Sequence, residues 1–266
     1  MAILQALTTG QLLDRIFSLY RRNFLMFFAI AVMPQLAYLL MMSVPYLGIW
    51  ATPTTRYFFL IPFFAGFLVY MAAIAVSQGA TTVAVSDLYL DRPASAIGSY
   101  KRMLPMTFRL IGLVIGYGLL VGLGMVLLIV PGVYFALTYS LAITVMAIEK
   151  VSFSEAMTRS KDLVQGNRGR VAIIYLLSFV ITYAVAIALG IPIEFVAIRL
   201  VRTMPVAASL LSLVTTVLAN ALAAPIGLIG FTLAYYDARV RKEAFDLHYM
   251  METEAGTAGD PATVQG

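Results

Sequence analysis

Five long uncharged segments constrain this chain more than any other feature of its sequence. They cover residues 24–50, 57–86, 110–148, 171–193 and 203–236, and the first alone holds 27 residues. A helix of about 20 apolar residues crosses the ~30 Å hydrocarbon core of a bilayer, so each segment is long enough to span a membrane. Of all residues, 61% are hydrophobic and only 12% are charged, which excludes an ordinary water-soluble domain.

The third segment predicts two spans. Its 39 residues would form a helix of about 58 Å, and two crossings need about 60 Å. Pro131 and Gly132 lie inside it, where proline removes a helical hydrogen bond and glycine permits a turn. We therefore predict a hairpin tip at these two residues, between spans at residues 110–130 and 133–148.

The lysine and arginine distribution supports six spans. Before, between and after six spans the chain carries 3, 1, 4, 0, 5, 2 and 3 basic residues. With both termini in the cytoplasm, 15 of these lie inside and 3 outside, whereas five spans divide them 9 and 9. Because cytoplasmic loops accumulate positive charge, we predict six spans with both termini cytoplasmic.

Three stretches before the odd-numbered spans have apolar residues at three- and four-residue spacing beside basic ones, which is typical of helices at a membrane surface. The first follows the capping-box pattern Thr8-x-x-Gln11, the second starts near Pro93, and the third follows Ser152-x-x-Glu155. We predict an all-α, polytopic integral membrane protein of three hairpins, each preceded by a cytoplasmic amphipathic interfacial helix. The predicted parts are an N-terminal amphipathic helix at 1–23, a membrane domain at 24–236 with spans at 24–50, 57–86, 110–130, 133–148, 171–193 and 203–236, a C-terminal helix at 237–251 and a disordered tail at 252–266.

Acidic residues mark the cytoplasmic ends of the even-numbered spans, at Asp87, Glu149 and Asp237. A carboxylate at a helix C-terminus opposes the helix dipole unless a cation pairs with it. For Asp87 we expect simple solvation at the membrane interface, because exposed ion pairs are weak. For Glu149 and Asp237 we expect ion pairs. The expected partners are Arg159, Arg239 and Arg241.

No pattern in the sequence points to an enzyme. The chain has no cysteine and one histidine, His248, which excludes thiolate chemistry and any site that needs several histidines. Phosphate-binding glycine loops and the Gly-x-Ser-x-Gly nucleophile motif are absent. We expect no catalysis, no cofactor, no metal and no nucleic-acid partner. The net charge of +5 comes from the basic bias of the cytoplasmic side and favours anionic lipid headgroups as partners.

Polar and small residues within the spans indicate two further features. Gln35, beside Pro34, and Gln78 are candidates for a polar intramembrane cavity, because polar side chains in hydrocarbon must face protein or water. Small residues four positions apart predict close helix packing inside the bundle. They are Gly112, Gly116, Gly118, Gly122, Ala184, Ala188, Ala223 and Gly227.

Several motifs on the cytoplasmic side are familiar together. They are Pro131-Gly132-Val133, Ala147-Ile148-Glu149, Ser154-Glu155-Ala156 with Arg159-Ser160, and the stretch from Tyr235 to Leu247. With them the chain resembles the glycerophosphoryl diester phosphodiesterase membrane-domain family over nearly its whole length. The most specific part is Tyr236-Asp237-x-Arg239-x-Arg241-Lys242-Glu243, after which the family's commonest form has glycine at the position of Ala244.

The resemblance implies a six-span membrane module without catalysis. The family takes its name from a soluble, metal-dependent phosphodiesterase barrel built on histidines and acidic residues, and these 266 residues do not contain it. The residues that match the family's recurrent cytoplasmic motifs are Glu149, Arg159, Ser160, Asp237, Arg239, Arg241 and Glu243, and we treat them as a candidate cytoplasmic charge network.

Two functions stay open at this point. The leading hypothesis is a non-enzymatic module in the bacterial inner (plasma) membrane, which binds lipid or an unidentified protein partner at its cytoplasmic face. It depends on the three interfacial helices and the basic residues Arg239, Arg241 and Lys242, while the ion pairs of Glu149 and Asp237 would lock the cytoplasmic ends of the helices together. The alternative is a transporter or lipid translocator that uses a cavity near Gln35 and Gln78.

Overall fold

The computed structural model describes residues 7–48 and 58–243, without the side chains of residues 43–48. The described residues form ten α-helices and no strand. The helices are α1 Thr9–Arg22, α2 Phe24–Gly48, α3 Leu60–Tyr89, α4 Ala96–Met103, α5 Thr107–Leu127, α6 Ile129–Thr138, α7 Ala142–Glu149, α8 Phe153–Val164, α9 Arg168–Leu200 and α10 Pro205–Glu243. The predicted disordered tail at 252–266 and His248 lie outside the described residues.

Among the described residues, six helical segments are long and apolar enough to cross a membrane. They are Phe24–Met42, Leu60–Tyr89, Ala96–Leu127, Ile129–Glu149, Arg168–Leu200 and Pro205–Glu243. The predicted all-helical class is confirmed, and the six segments are compatible with a multi-pass membrane protein. The end of the sixth span differs from the prediction, because α10 runs through Asp237 to Glu243 without a break, so this span and the start of the predicted C-terminal helix are one helix. The fifth span also ends later than the predicted residue 193, since α9 continues to Leu200.

The helices of consecutive candidate spans pack side by side, α2 with α3, α5 with α6 and α9 with α10. On α2 and α3, the backbone of Met41 meets Gly66, and the carbonyl of Ile30 accepts a hydrogen bond from Ser77. Residue numbers therefore rise along one helix as they fall along the other, so the two helices are antiparallel. The same holds for α9 and α10, where Ser178 faces Gly227 and Ile174 faces Gly230.

The buried core lies toward one end of the bundle. It is formed by the second halves of α3 and α10, the first turns of α5, and α7, with α1, α4 and α8 packed around them. Because α3, α7 and α10 bring Asp87, Glu149 and Asp237 to this end, we call it the charged end. At the opposite end the side chains are mostly exposed, as in the turn at Val126–Val130.

The turn between α5 and α6 lies at Leu128. The prediction, which placed it at Pro131 and Gly132, is wrong. Leu128 has an extended backbone, with φ −161° and ψ 140°, between the last residue of α5 and the first of α6. Pro131 lies in the first turn of α6, where its missing N–H has no helical partner to lose. Gly132 serves close packing, since a Cβ there would lie 2.6 Å from the backbone nitrogen of Met125.

Helices α1, α4 and α8, which precede the odd-numbered spans, begin at side-chain caps. Both predicted capping boxes are present, Thr8 with Gln11 on α1 and Ser152 with Glu155 on α8. Hydrogen bonds from Ser152 lower the pKa of Glu155 below its usual value. The start of α4 differs from the prediction, because the cap is Ser95 and Pro93 precedes the helix. A serine hydroxyl can satisfy a free N–H of the first turn, which proline does not do.

Helix α1 extends along α10. The Leu7 N–H donates to Asp237 and the Tyr20 hydroxyl donates to the carbonyl of Leu222, both at 2.8 Å. These two acceptors are 15 residues apart on α10, or about 22 Å along its axis. The buried face of α1, formed by Leu12, Ile16 and Leu19, packs on the bundle over this length.

The prediction of internal packing is wrong for most of the small residues. An added Cβ at Gly112, Gly118 or Gly122 would meet no other atom within 4 Å, and Ala184 and Ala188 are exposed. Two glycines do lie at close contacts, where a Cβ would be 2.8 Å from its neighbour. They are Gly116 against Phe153 and Gly227 against Ser178.

Candidate functional site

The carboxylate of Asp237, 3% exposed, is the centre of one cluster at the charged end. It accepts hydrogen bonds from the Leu7 N–H at 2.8 Å, from Arg170 at 2.5 Å and from Arg241 at 3.0 Å. Both arginines also donate to the Leu7 carbonyl, at 2.8 and 2.7 Å. A buried charge is stable only when it is paired and hydrogen-bonded, and here the three charged groups hold both polar atoms of one peptide residue. The cluster fastens the start of α1 to α9 and α10.

A second cluster surrounds Glu149 at the end of α7. The carboxylate lies 3.4 Å from Arg159 of α8 and accepts a hydrogen bond from Tyr235 of α10 at 2.8 Å. Glu243 completes it by pairing with Arg159 and, at 2.9 Å, with Arg239. Arg239 in turn donates to the Tyr235 hydroxyl at 3.2 Å. These contacts join α7, α8 and α10, and every charged group in the cluster has a partner of opposite sign.

Ser160, which the sequence placed with the charged residues, has a different role. It is fully buried on α8, and its hydroxyl donates to the carbonyl of Thr138 and accepts from the N–H of Leu141, both at 3.1 Å. These two backbone groups flank the interruption between α6 and α7, which breaks the fourth span. An unpaired backbone group costs several kcal/mol in hydrocarbon. Because Ser160 pairs both of these groups, it stabilises the interrupted helix.

Asp87 is buried, and the expectation of a solvated carboxylate is wrong. Arg102 of α4 contacts both of its oxygens, and the second contact is 3.2 Å. Next to it, the hydroxyls of Ser86 and Tyr236 share a hydrogen bond of 2.6 Å. The physical reason is the packing of α4 on α3, which removes Asp87 from solvent and brings a guanidinium to it.

Two more weak points in the long helices receive tyrosine hydroxyls. Pro34 has no N–H, so the carbonyl of Ile30 on α2 has no helical donor. That carbonyl accepts from Ser77 of α3 at 3.1 Å and from Tyr100 of α4 at 2.7 Å. On α10, Pro225 leaves the carbonyl of Ala221 without a helical donor, and the neighbouring carbonyl of Leu222 accepts from Tyr20 of α1.

Helices α1, α4 and α8 therefore each hydrogen-bond at or next to an irregular point of a candidate span. The donors are Tyr20 of α1, Tyr100 of α4 and Ser160 of α8. A related contact joins α5, α6 and α9, where the carbonyl of Ala136 accepts from Tyr117 at 3.2 Å and from Tyr175 at 3.1 Å. Thus the packing of the charged end stabilises breaks that lie deeper in the bundle.

Gln35 and Gln78, the two predicted cavity residues, line the same cavity of about 370 Å³ between α2, α3 and α10. Each lies 11 residues from the end of its helix at the charged end, or about 16 Å, close to half of the ~30 Å hydrocarbon thickness. The side-chain oxygen of Gln78 is buried and has no hydrogen-bond partner among the described residues. The hydroxyl oxygens of Thr82, Ser99 and Thr138 are likewise buried without a partner in the part of the chain that the structure describes.

Basic residues outside these clusters form an exposed surface at the charged end. Nine of them form neither an ion pair nor a hydrogen bond from the side chain to a backbone carbonyl of another described residue, whereas Lys242 donates to the carbonyls of Asp162 and Gln165. Four acidic side chains are exposed at the same end. The nine are Arg15, Arg21, Arg22, Arg92, Lys101, Arg109, Lys150, Lys161 and Arg168. Exposed apolar side chains alternate with them along the chain, among them Leu25, Ile97, Leu104, Phe108 and Phe153. We call this the basic surface.

The structure adds residues to the clusters that sequence reasoning missed. Arg170 and Leu7 at Asp237, Arg102 at Asp87 and Tyr235 at Glu149 were not identified as partners. The available signal for Arg170 and Arg102 was their place beside the odd-numbered spans, which does not reveal which carboxylate each one reaches.

The chain matches no protein-family model. Neither a curated protein nor a solved structure matches it.

Proposed function

We propose that the protein is a non-enzymatic multi-pass membrane protein that binds anionic lipid headgroups through its basic surface. The observation that carries this proposal is the excess of exposed basic side chains interleaved with exposed apolar ones. Such a surface can place aliphatic and aromatic groups among acyl chains while the cations meet phosphate groups.

The proposal assigns different roles to two sets of cations. Arg102, Arg159, Arg170, Arg239 and Arg241 are paired with carboxylates of the protein, so they fasten the helices together. The unpaired basic residues are the ones that remain for lipid. The charge network of the sequence analysis is thus structural in this proposal, and lipid binds around it.

The same distribution of charge supports an orientation. Of the 18 basic residues, 15 belong to the segments that six spans place on one side, and positive residues favour the cytoplasm. We propose that the charged end and both termini are cytoplasmic and that the membrane is the bacterial inner (plasma) membrane. Membership of the glycerophosphoryl diester phosphodiesterase membrane-domain family, as a module without a catalytic barrel, is part of the same proposal.

Lipid retention tests the lead function. The variant Arg22→Gln, Lys101→Gln, Arg109→Gln removes three cations of the basic surface, and Arg199→Gln, Arg202→Gln is the control at the opposite end. Each basic residue near an anionic surface is worth about 1 kcal/mol, so phosphatidylglycerol binding should weaken by about two orders of magnitude in the triple variant and little in the control.

Native mass spectrometry of gently extracted protein measures this directly. Equal retention of phosphatidylglycerol and phosphatidylcholine, or equal loss in both variants, contradicts the proposal. A protein retained at fixed stoichiometry in place of lipid would favour a protein partner at this face.

A second candidate function is transport or lipid translocation through the cavity at Gln35 and Gln78. It is favoured by the position of the cavity near the middle of the bundle and by the Gln35 and Gln78 side chains in its wall. Solute or lipid flux into vesicles, abolished by Gln35→Leu, would support it, and unchanged flux in that variant would remove the cavity from the mechanism.

A further inference from the structure

Glu194 of α9 lies near the end of the bundle opposite the charged end. It follows Arg170, which pairs with Asp237, by 24 residues, or about 36 Å along the helix, slightly more than the ~30 Å of the hydrocarbon core. Glu194 is exposed and forms no ion pair with another described residue. Water and lipid headgroups on this side of the membrane can therefore reach its carboxylate.

Glu194 belongs to the wall of a pocket of about 400 Å³ between α2, α9 and α10. Tyr38 of α2 and Ser209, Ser212 and Thr216 of α10 line the same pocket. Among its lining residues, Glu194 is the only charged one. The Thr216 hydroxyl donates to the carbonyl of Ser212 at 3.0 Å, which leaves its oxygen as an acceptor. The pocket thus combines one negative charge with hydroxyl groups and an aromatic ring.

The basic residues that follow Glu194 on the chain do not neutralise it. Arg199 lies over the ring of Phe195, with 4.7 Å between the guanidinium carbon and the ring centroid. Arg202 is exposed in the turn after α9. Neither arginine lines the pocket or pairs with Glu194. A cationic occupant therefore meets a carboxylate that no described cation of the protein already holds.

The size and chemistry of the pocket favour an organic ammonium group over a metal ion. Its volume of about 400 Å³ lies within the range of roughly 300–1,000 Å³ typical of small-molecule sites. A calcium ion takes about six to eight oxygen ligands, usually with several carboxylates, and the described part of the chain holds no group of three acidic, His or Cys residues around a metal site. An ammonium group donates hydrogen bonds to carboxylate and hydroxyl oxygens and is attracted to an aromatic face such as that of Tyr38.

We propose that this pocket binds the ammonium group of an amine, either a water-soluble one or the headgroup of a lipid. The ammonium group pairs with Glu194, and hydroxyl oxygens of α10 accept its remaining hydrogen bonds. Both sources bring the same chemistry to the pocket, because Glu194 lies where water and headgroups meet. The site is at the opposite end from the basic surface and outside the cavity of Gln35 and Gln78, so it depends on neither proposed function.

The absence of native cysteine allows a direct test. Ser209→Cys places a thiol in the wall of the pocket, and Ala207→Cys is the matched control, an exposed position two residues away that does not line it. Both full-length variants are kept in the uncharged detergent dodecyl maltoside near neutral pH, and the rate of labelling by N-ethylmaleimide is measured against probe concentration. The probes are dodecylammonium, which enters the micelle, and butylammonium, which stays in water. Dodecan-1-ol and butan-1-ol are their uncharged counterparts.

We expect an ammonium probe to slow labelling at position 209 and to leave position 207 unchanged. Glu194→Gln in the Ser209→Cys background should raise the concentration needed for half-protection about tenfold or more, the factor that a hydrogen bond to a charged group supplies. Protection by dodecylammonium alone supports the site with a lipid headgroup as ligand, and protection by butylammonium supports it with a water-soluble amine. Equal protection by the alcohols, equal slowing at position 207, protection that Glu194→Gln leaves unchanged, or no protection by any probe overturns the proposal.

Discussion

Replacing Asp237 with alanine should destabilise the protein more than any other single change at the charged end. The substitution leaves Arg170 and Arg241, whose side chains are 25% and 34% exposed, without the carboxylate they share. It also removes the acceptor of the Leu7 N–H. Breaking a buried ion pair by removing one partner costs about 3–5 kcal/mol. Because both arginines can turn partly toward water, we expect the lower part of that range, about 3 kcal/mol.

The free energy of unfolding in mixed micelles, measured against the mole fraction of sodium dodecyl sulfate, checks this value. Asp237→Asn keeps an acceptor for Leu7 but not the charge, so its loss should be smaller, about 2 kcal/mol. Glu194→Ala is the control, an exposed carboxylate with no ion pair among the described residues, and it should change stability by less than about 0.5 kcal/mol.

A second readout is local. In Asp237→Ala the start of α1 loses its attachment, so a cysteine introduced at the buried position Leu12 should react with a thiol reagent faster than in the parent. If Asp237→Ala stays within about 0.5 kcal/mol of the parent and Leu12→Cys stays protected, the cluster does not fasten α1, and the reasoning from burial and pairing is refuted.

Three further substitutions test how the breaks and close contacts are stabilised. Ser160→Ala should cost about 1–3 kcal/mol in the same unfolding assay, because it leaves the Thr138 carbonyl and the Leu141 N–H unpaired. Ser154→Ala on the exposed face of α8 should be nearly neutral, and equal effects of the two substitutions would contradict this prediction. Tyr100→Phe should cost about 1 kcal/mol of unfolding free energy in the parent, because the Ile30 carbonyl loses a donor. In the Pro34→Ala background the restored N–H binds that carbonyl, so the same substitution should cost close to nothing. A double-mutant cycle without coupling would disprove the link between Tyr100 and Pro34. Gly230→Ala should destabilise by about 1–3 kcal/mol, since its Cβ would lie 2.8 Å from Ile174, but Gly118→Ala should not, as its surroundings are open; similar losses in both would show that the packing is different.

The sequence alone was sufficient for features that depend on local patterns. Six spans follow from apolar length measured against bilayer thickness, and both capping boxes follow from a side chain and a backbone group three residues apart. The pairing of Glu149 with Arg159 and of Asp237 with Arg241 was also predictable, because these partners are 10 and 4 residues apart. Gln35 and Gln78 were identified from polarity alone, and the structure places both at one cavity.

Other features required the packed helices. Small residues were visible in the sequence, but the direction each faces was not, and Gly118 and Gly122 turned out to face open space while Gly227 meets Ser178. The fate of Asp87 depended on α4, whose packing excludes solvent and supplies Arg102. The turn lies at Leu128, and Gly132 packs closely against Met125 just after it. A search for proline and glycine places this turn three residues too late, at Pro131.

The sequence by itself determined which segments are apolar, how many can cross a membrane and where short helices begin, because these properties are set by neighbours within a few residues. Tertiary structure alone decided that Asp237 meets Arg170, 67 residues away, and the Leu7 N–H, 230 residues away. It also decided that hydroxyls of α1, α4 and α8 bond to carbonyls at or next to irregular points of the candidate spans. The physical reason is that a buried polar group takes whichever partner the packed helices bring within about 3 Å, and no local pattern encodes that choice.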